Sequence, residues 1–213
     1  MKIEAVHPEG GRATITPNRV KVGDTGSWTI TYKVGKQRIE VGGEIRVVLS
    51  PFFADLQITD SQERGYLSLS SSNPEAHLKM EIDLPWYTKK QFQHSHARLM
   101  KETEQDINKR LYSPIGVNLK IKIFGSPLTE GDTVILVYGD ISKGGPGGEI
   151  LQWKESKWFE IPIYFDPDGK RKAPHTGFWR IKTLPRVYLE PGRANKLKVI
   201  VPSIISEQTQ VPA

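Results

Sequence analysis

Residues 27–34, SWTITYKV, alternate strictly between apolar and polar side chains. A period of two places successive side chains on opposite faces of a β-strand. The pattern therefore predicts a strand with a core face and a water-facing side. The core face holds Trp28, Ile30, Tyr32 and Val34, and the other face holds Thr29, Thr31 and Lys33.

The same alternation recurs along most of the chain. It is clearest in EIRVVLS (44–50), HLKMEIDL (77–84) and GVNLKIKIF (116–124). Shorter strands are expected near 12–16, 65–70, 132–138, 157–165, 183–189 and 196–201, between turn-forming clusters such as VGDTG and DPDG. One wet face per strand favours antiparallel sheets. The sequence thus predicts an all-β fold of about ten strands, an antiparallel β-sandwich of immunoglobulin-like or related Greek-key type.

One segment departs from this period. In residues 92–111, FQHSHARLMKETEQDINKRL, apolar side chains recur at steps of three and four, and YSP then ends the pattern. We predict one amphipathic helix inserted between two strands, with a long ordered loop as the alternative. Residues 1–203 are predicted to form a single β-sandwich domain, and the polar residues 204–213 a flexible tail or the start of a linker.

The composition excludes several classes of function. The 213 residues contain no cysteine, which removes disulfides, thiolate nucleophiles and Cys-ligated zinc. The net charge of +6 arises within residues 150–198, where eleven Lys or Arg face five Asp or Glu. These charges alternate with apolar residues, as on the solvated face of strands, so no nucleic-acid partner is predicted. No apolar run is long enough for membrane insertion or a secretion signal, which favours a cytoplasmic location.

The glycine-rich stretch at residues 139–150, GDISKGGPGGEI, raises the question of a phosphate-binding loop. Such a loop has its lysine after the glycines and a helix directly behind it. Here Lys143 precedes the glycines, and the strand-like EILQWKESKWFEIPIYF follows. The stretch is therefore predicted to connect two strands.

His94 and His96 form an HSH motif within the predicted helix. Two histidines at this spacing point the same way on a strand but to opposite sides of a helix. A shared metal ion is thus expected only if the segment is extended.

DPDG at 166–169 resembles the start of a calcium loop, with Asp166 and Asp168 as candidate ligands. However, Lys170, Arg171 and Lys172 stand where further acids would be needed, and Pro-Asp-Gly is a turn signal in its own right. Beyond these two candidate metal sites, the sequence predicts no cofactor.

Aromatic residues at predicted strand ends are the remaining candidates for a ligand site. Trp86, Tyr87 and Trp153 occupy such positions, where sandwich domains present aromatic platforms to sugars. Trp28 belongs to a core face, whereas Trp158 and Trp179 are not assigned to either role. Any single tryptophan more often serves packing than binding.

Several stretches together resemble a known family. They are GDTGSWTITYKVG, VGGEIRVVL, LTEGDTVILVYGD, KGGPGG, FEIPIYFDPDG and NKLKVIVPS, spread over residues 23–203. This order resembles the amino-terminal β-sandwich region of a bacterial and archaeal domain-of-unknown-function family, number 3604. In that family the region precedes a hydrolase-like part that this chain does not contain, and the insert at 92–111 also departs from the pattern. The resemblance implies an accessory domain and assigns no active-site residue.

The sequence favours a non-enzymatic accessory or binding domain whose partner is a protein domain or a polymeric ligand such as a glycan. No nucleophile elbow or catalytic triad is recognisable. Two alternatives stay open. One is a small metal-dependent hydrolase using His94 and His96 with acids such as Glu102 or Glu104, and the other is self-association through exposed strand edges.

Overall fold

The computed structural model describes residues 6–83, 117–151, 158–170 and 178–192. Throughout these residues the regular structure is all β, with no helix. It comprises fourteen strands, of which four are only two or three residues long. Their bounds are β1 Val6–Thr16, β2 Arg19–Lys21, β3 Thr25–Gly26, β4 Trp28–Lys33, β5 Glu44–Leu49, β6 Leu67–Ser71, β7 Ala76–Asp83, β8 Val117–Gly125, β9 Thr133–Tyr138, β10 Gly148–Glu149, β11 Trp158–Glu160, β12 Ile163–Asp166, β13 Trp179–Thr183 and β14 Arg186–Glu190.

Nine of these strands form one large sheet in the order β6-β9-β4-β1-β13-β12-β5-β8-β7. The two edge strands, β6 and β7, follow each other in the chain and lie against each other, so the sheet is nearly closed on itself. A three-stranded sheet, β11-β14-β2, and the β10–β3 pair complete the structure.

The alternation that predicts the strands also defines the core. Trp28, Ile30, Tyr32 and Val34 are buried as expected, and so are the core-face positions of β5 and β8, which are Ile45, Val47, Leu49, Val117, Leu119, Ile121 and Ile123. In β7 the corresponding side chains, Leu78, Met80 and Ile82, are half-buried against the same core. An aromatic cluster of Trp28, Phe52, Phe53 and Tyr138 fills its centre.

The expectation of an all-β fold is confirmed, but uniform antiparallel pairing is not. β1 pairs with β13 in parallel within the large sheet, and β14 pairs with β2 in parallel within the three-stranded sheet, so both sheets are mixed. The segment predicted as one strand near 183–189 lies across two, β13 and β14, with Leu184 and Pro185 between them. A single wet face is compatible with either direction of pairing, which is why the alternation did not reveal the parallel pairs.

The predicted helix at 92–111, the strand near 196–201 and the tail at 204–213 lie outside the described residues. Within the part of the chain that the structure covers, no segment forms a helix long and apolar enough to cross a bilayer.

Candidate functional site

The three-stranded sheet carries an exposed tryptophan beside a tyrosine on its outer face. Val20, Val187 and Leu189 point inward from β2 and β14 and are fully buried in the core. Because side chains alternate along each strand, their neighbours in sequence point outward. We call this outward surface the Trp158 face, and it consists of Arg19, Trp158, Glu160, Arg186, Tyr188 and Glu190.

Trp158 and Tyr188 are the aromatic centre of this face. They stand directly opposite each other in the antiparallel β11–β14 pair. Their ring centroids are 5.3 Å apart and the planes are tilted by 60°. Trp158 keeps 41% of its surface exposed, which is unusual for a side chain of this size. The two rings form a contiguous but non-planar aromatic surface.

Two guanidinium groups flank the rings. Arg19, opposite Tyr188 in the parallel β14–β2 pair, lies 4.9 Å from the Tyr188 ring and 5.8 Å from the Trp158 ring. Arg186 lies 5.7 Å from the Trp158 ring. These distances are within the range of cation–π attraction, contributing about 0.5–1 kcal/mol each at an exposed site. Two cations therefore lie within 6 Å of the Trp158 ring.

Two glutamates complete the face. Glu190 pairs with Arg19 at 3.3 Å and Glu160 pairs with Arg186 at 3.7 Å. Both pairs are open to water, so their contribution to stability is small. Their effect is to fix the guanidiniums beside the aromatic rings. The outcome is an aromatic centre with a charged rim, which can recognise a ligand but contains no nucleophile–base pair.

Most residues predicted to bind ligands fall outside the described residues. This applies to the aromatic candidates Trp86, Tyr87 and Trp153, and to the metal candidates His94 and His96. They stay predictions. Among the described residues, no group of three or more His, Asp or Glu side chains could hold a metal ion.

Of the calcium candidates, Asp166 is the last residue of β12 and Asp168 lies in the turn that follows. Asp166 is 1% exposed, and its carboxylate accepts a hydrogen bond from the backbone N–H of Asp168 at 3.4 Å. Asp168 pairs with Lys170 at 3.0 Å. The hydrogen bond from Lys170 holds the pKa of Asp168 below its usual value. The second candidate carboxylate thus already has a cation partner within its own turn.

The glycine-rich stretch connects β9 to β10, as predicted from the position of Lys143. Gly148 pairs with Gly26 of β3, and the described residues that follow form no helix. Lys143 lies 6.0 Å from the ring of Tyr66, and its backbone carbonyl accepts a hydrogen bond from Gln62. The loop is therefore tied to neighbouring structure by ordinary contacts.

The tryptophans left unassigned by the sequence have different roles. Trp158 is the exposed centre described above, whereas Trp179 on β13 is half-buried and stacks on His7 at 4.0 Å with a 17° tilt. Burial lowers the pKa of His7, and the nearby Glu9 carboxylate opposes this shift. His7 also meets Phe165 edge-on at 5.8 Å. Trp179 therefore contributes to packing around β1.

An open groove of about 500 Å³ lies beside β1 and the loop at 130–131. Its charged lining residues are Glu9, Arg12, Lys33, Lys36 and Glu130. Lys36 and Glu9 approach to 4.0 Å across it. Three of these side chains are cationic, two are anionic and none is buried, so they do not form a convergent reactive cluster.

Part of the Trp158 face could be predicted from the sequence. Alternation in KWFEI and RVYLE places Trp158 and Tyr188 on the faces opposite Phe159, Val187 and Leu189. It could not reveal that β11, β14 and β2 adjoin in a register that brings Arg19, Tyr188 and Trp158 into one row. That row depends on pairings between segments far apart in the chain.

No protein-family model and no curated protein matches the chain. Among solved structures, AvmM, which catalyzes macrocyclization in alchivemycin A biosynthesis, aligns with 89% of this chain and 92% of its own, at 11% identity and a TM-score of 0.38. The zebrafish RET cadherin-like domains 1 to 4 align with 87% of this chain and 28% of theirs, at 9% identity and a TM-score of 0.17. TM-scores this low do not establish a shared fold.

Proposed function

We propose that this chain is a non-catalytic β-domain that binds a protein partner through the Trp158 face. The observation that carries the proposal is the exposed Trp158 ring with the guanidiniums of Arg19 and Arg186 at 5.8 and 5.7 Å from it. Trp, Tyr and Arg are the residue types that dominate the energetics of protein–protein interfaces. All three are adjacent here, on a rigid sheet whose inner face is part of the core.

The geometry favours a protein over a glycan as the occupant. A sugar ring stacks on the open face of an aromatic ring, and a glycan chain is best served by rings lying in one plane. Here the two rings are tilted by 60°, and Arg19 lies close to both of them. The flanking pairs Arg19–Glu190 and Arg186–Glu160 resemble the charged rim that surrounds the apolar centre of a protein interface.

The displaced pKa values of the described residues also favour binding over catalysis. Catalytic sites gather groups with shifted pKa values in one cleft. In the described part of the chain, the lowered pKa values of Glu40, Glu81 and Asp168 arise from hydrogen bonds to exposed Arg38, Lys79 and Lys170. These pairs lie on different strands and turns and do not converge.

The two-layer sandwich architecture forms part of the same proposal. β1 supports it, because its first residues pair with β13 and its last residues pair with β4, with a register irregularity between His7 and Arg12. A strand that bends at such a point can pass from one layer to the other. The resemblance to the amino-terminal region of family 3604 would make the partner a neighbouring domain.

The experiment compares proteins retained from a lysate of the source organism by the wild-type chain and by Trp158→Ala. Ile141→Ala is the control, since Ile141 is an apolar side chain outside the Trp158 face that is even more exposed, 55% against 41%. We expect at least one protein that wild type and Ile141→Ala retain and Trp158→Ala does not. That protein, once purified, should bind the chain directly.

A glycan panel followed by tryptophan fluorescence is the second arm of the experiment. No response is expected from any sugar. A fluorescence response to a sugar that is lost in Trp158→Ala would show that the Trp158 face binds a glycan and not a protein. If neither a protein nor a glycan depends on Trp158, the proposal is wrong.

A further inference from the structure

A second polar cluster lies on the outer face of the nine-stranded sheet, away from the Trp158 face. We propose that Arg46 of β5 and Arg180 of β13 form a binding site for a small oxyanion, a carboxylate or a phosphate group. The site is independent of the proposed partner binding and involves different strands.

The sheet register places the two guanidinium groups in one row. Arg46 is opposite Tyr164 in the β12–β5 pair, and Tyr164 is opposite Arg180 in the β12–β13 pair. Residues directly opposite in antiparallel strands share a face. Two strand spacings separate the Cα atoms of Arg46 and Arg180 by roughly 10 Å, a span that two arginine side chains can close around one small anion.

The main evidence for an anion site in this row is a pair of buried arginine N–H donors that lack an acceptor. Arg46 Nη1 and Arg180 Nε are both buried, and neither has a hydrogen-bond partner. A buried N–H without an acceptor costs about 1–3 kcal/mol, and more when the group is charged. Each such atom in a native structure calls for an explanation, and an unseen ion is one of the few available.

The Arg46 side chain is held in place by its other contacts. Its Nε donates to Glu44 Oε1 at 2.6 Å, and its guanidinium lies 4.4 Å from the ring of Phe178. Only 13% of the side chain is exposed. The free Nη1 is thus presented by an ordered group rather than by a solvent-exposed one.

The local charge balance is positive. Glu44 is shared between Arg46 and Lys120, whose Nζ lies 3.6 Å from Glu44 Oε2. No carboxylate of the described residues lies within 4.0 Å of Arg180. Glu44 is therefore shared by two cations, and Arg180 has no carboxylate of the described residues at salt-bridge distance.

These features define the ligand class. Guanidinium groups match the oxygen pairs of carboxylates and phosphates, forming short charge-assisted hydrogen bonds. A ligand oxyanion would satisfy both orphan donors and offset the excess charge. The Phe178 ring beside Arg46 supplies an apolar wall on one side.

The test measures thermal unfolding in sodium phosphate, sodium acetate and sodium chloride at matched ionic strength. We expect phosphate or acetate to raise the midpoint in a saturable manner above the chloride value. A response to acetate indicates a carboxylate ligand, and a response to phosphate indicates a phosphate group. Equal midpoints in the three salts would overturn the proposal.

Arg180→Gln should weaken the response, raising the half-saturating concentration by about tenfold or more. Arg38→Gln, which removes an exposed guanidinium paired with Glu40 elsewhere, should leave it unchanged. An equal response in wild type and Arg180→Gln would contradict the site. If Arg180→Gln does not fold, an NMR titration of wild type with the anion takes its place. The Nε–H resonance of Arg180 should then shift as the anion is added, and an unchanged resonance would contradict the site.

Discussion

At the residue scale, two buried tyrosines link the strands through their hydroxyl groups. The Tyr138 hydroxyl lies 2.8 Å from the carbonyl of Ala54 and accepts the backbone N–H of Glu149 at 2.8 Å. The Tyr32 hydroxyl donates to the carbonyl of Gly10 at 2.5 Å. Burial raises the pKa of both phenols well above the usual value of 10.0. Both groups must therefore stay protonated in the folded chain.

These phenols predict a loss of stability in alkali. The unfolded chain releases both protons near pH 10 while the folded chain retains them, so stability is complete below that pH and falls above it. Between about pH 9 and about pH 11 each phenol is expected to lower the free energy of unfolding by about 1.4 kcal/mol in total. Urea unfolding between about pH 9 and about pH 11 measures it, with the absorbance of tyrosinate as a second signal.

Tyr32→Phe and Tyr138→Phe serve as controls, since each should remove about half of the phenol contribution. Tyrosinate absorbance that reaches its full amplitude while the chain is still folded would contradict this account. A slope unchanged in both variants would do so as well.

At the element scale, the β3–β10 pair depends on close approach of backbones. A Cβ on Gly139 would collide with the backbone of Gly148 and Gly26, and Gly139 also has a φ of 67°. Only glycine, which has no Cβ, fits into this space and adopts this positive φ without strain. This is the physical role of the glycine-rich stretch that joins β9 to β10.

Gly139→Ala should therefore destabilise the chain far more than a glycine replacement in open space. Gly131 is the matched control, because its φ of 96° is also left-handed but no atom lies near its would-be Cβ. We expect about 1 kcal/mol for Gly131→Ala and roughly 3 kcal/mol or more for Gly139→Ala, measured by urea unfolding. Equal losses would show that the close approach is unimportant.

Most of the longer strands could be predicted from local sequence, because alternation follows from which side of a strand faces the core, whereas the short strands β2 and β3 could not. This was sufficient for β4, β5 and β8 and for the core residues they carry. Pairing directions were not readable. The β1–β13 and β14–β2 contacts are parallel and join segments far apart in the chain, whose order in the sheet no local pattern encodes.

At the scale of the whole molecule, the candidate site depends on the order of the strands in the sheets, which no local sequence pattern encodes. The outward position of Trp158 is implied by its alternation with Phe159, but its grouping with Tyr188 and Arg19 requires three strands in a specific register. The residues proposed from sequence, Trp86, Tyr87 and Trp153, lie outside the described part and stay predictions. Local patterns therefore gave the fold class, whereas the site required the tertiary structure.

The most direct test of the Trp158 face is the dissociation constant of the purified partner for wild type, Trp158→Ala and Ile141→Ala. Each variant is first shown by circular dichroism and urea unfolding to be folded. Removal of a dominant interface tryptophan costs about 2 kcal/mol or more, so Trp158→Ala should bind about thirtyfold more weakly while Ile141→Ala binds like wild type. A dissociation constant that is the same for Trp158→Ala and wild type would contradict partner binding through the Trp158 face.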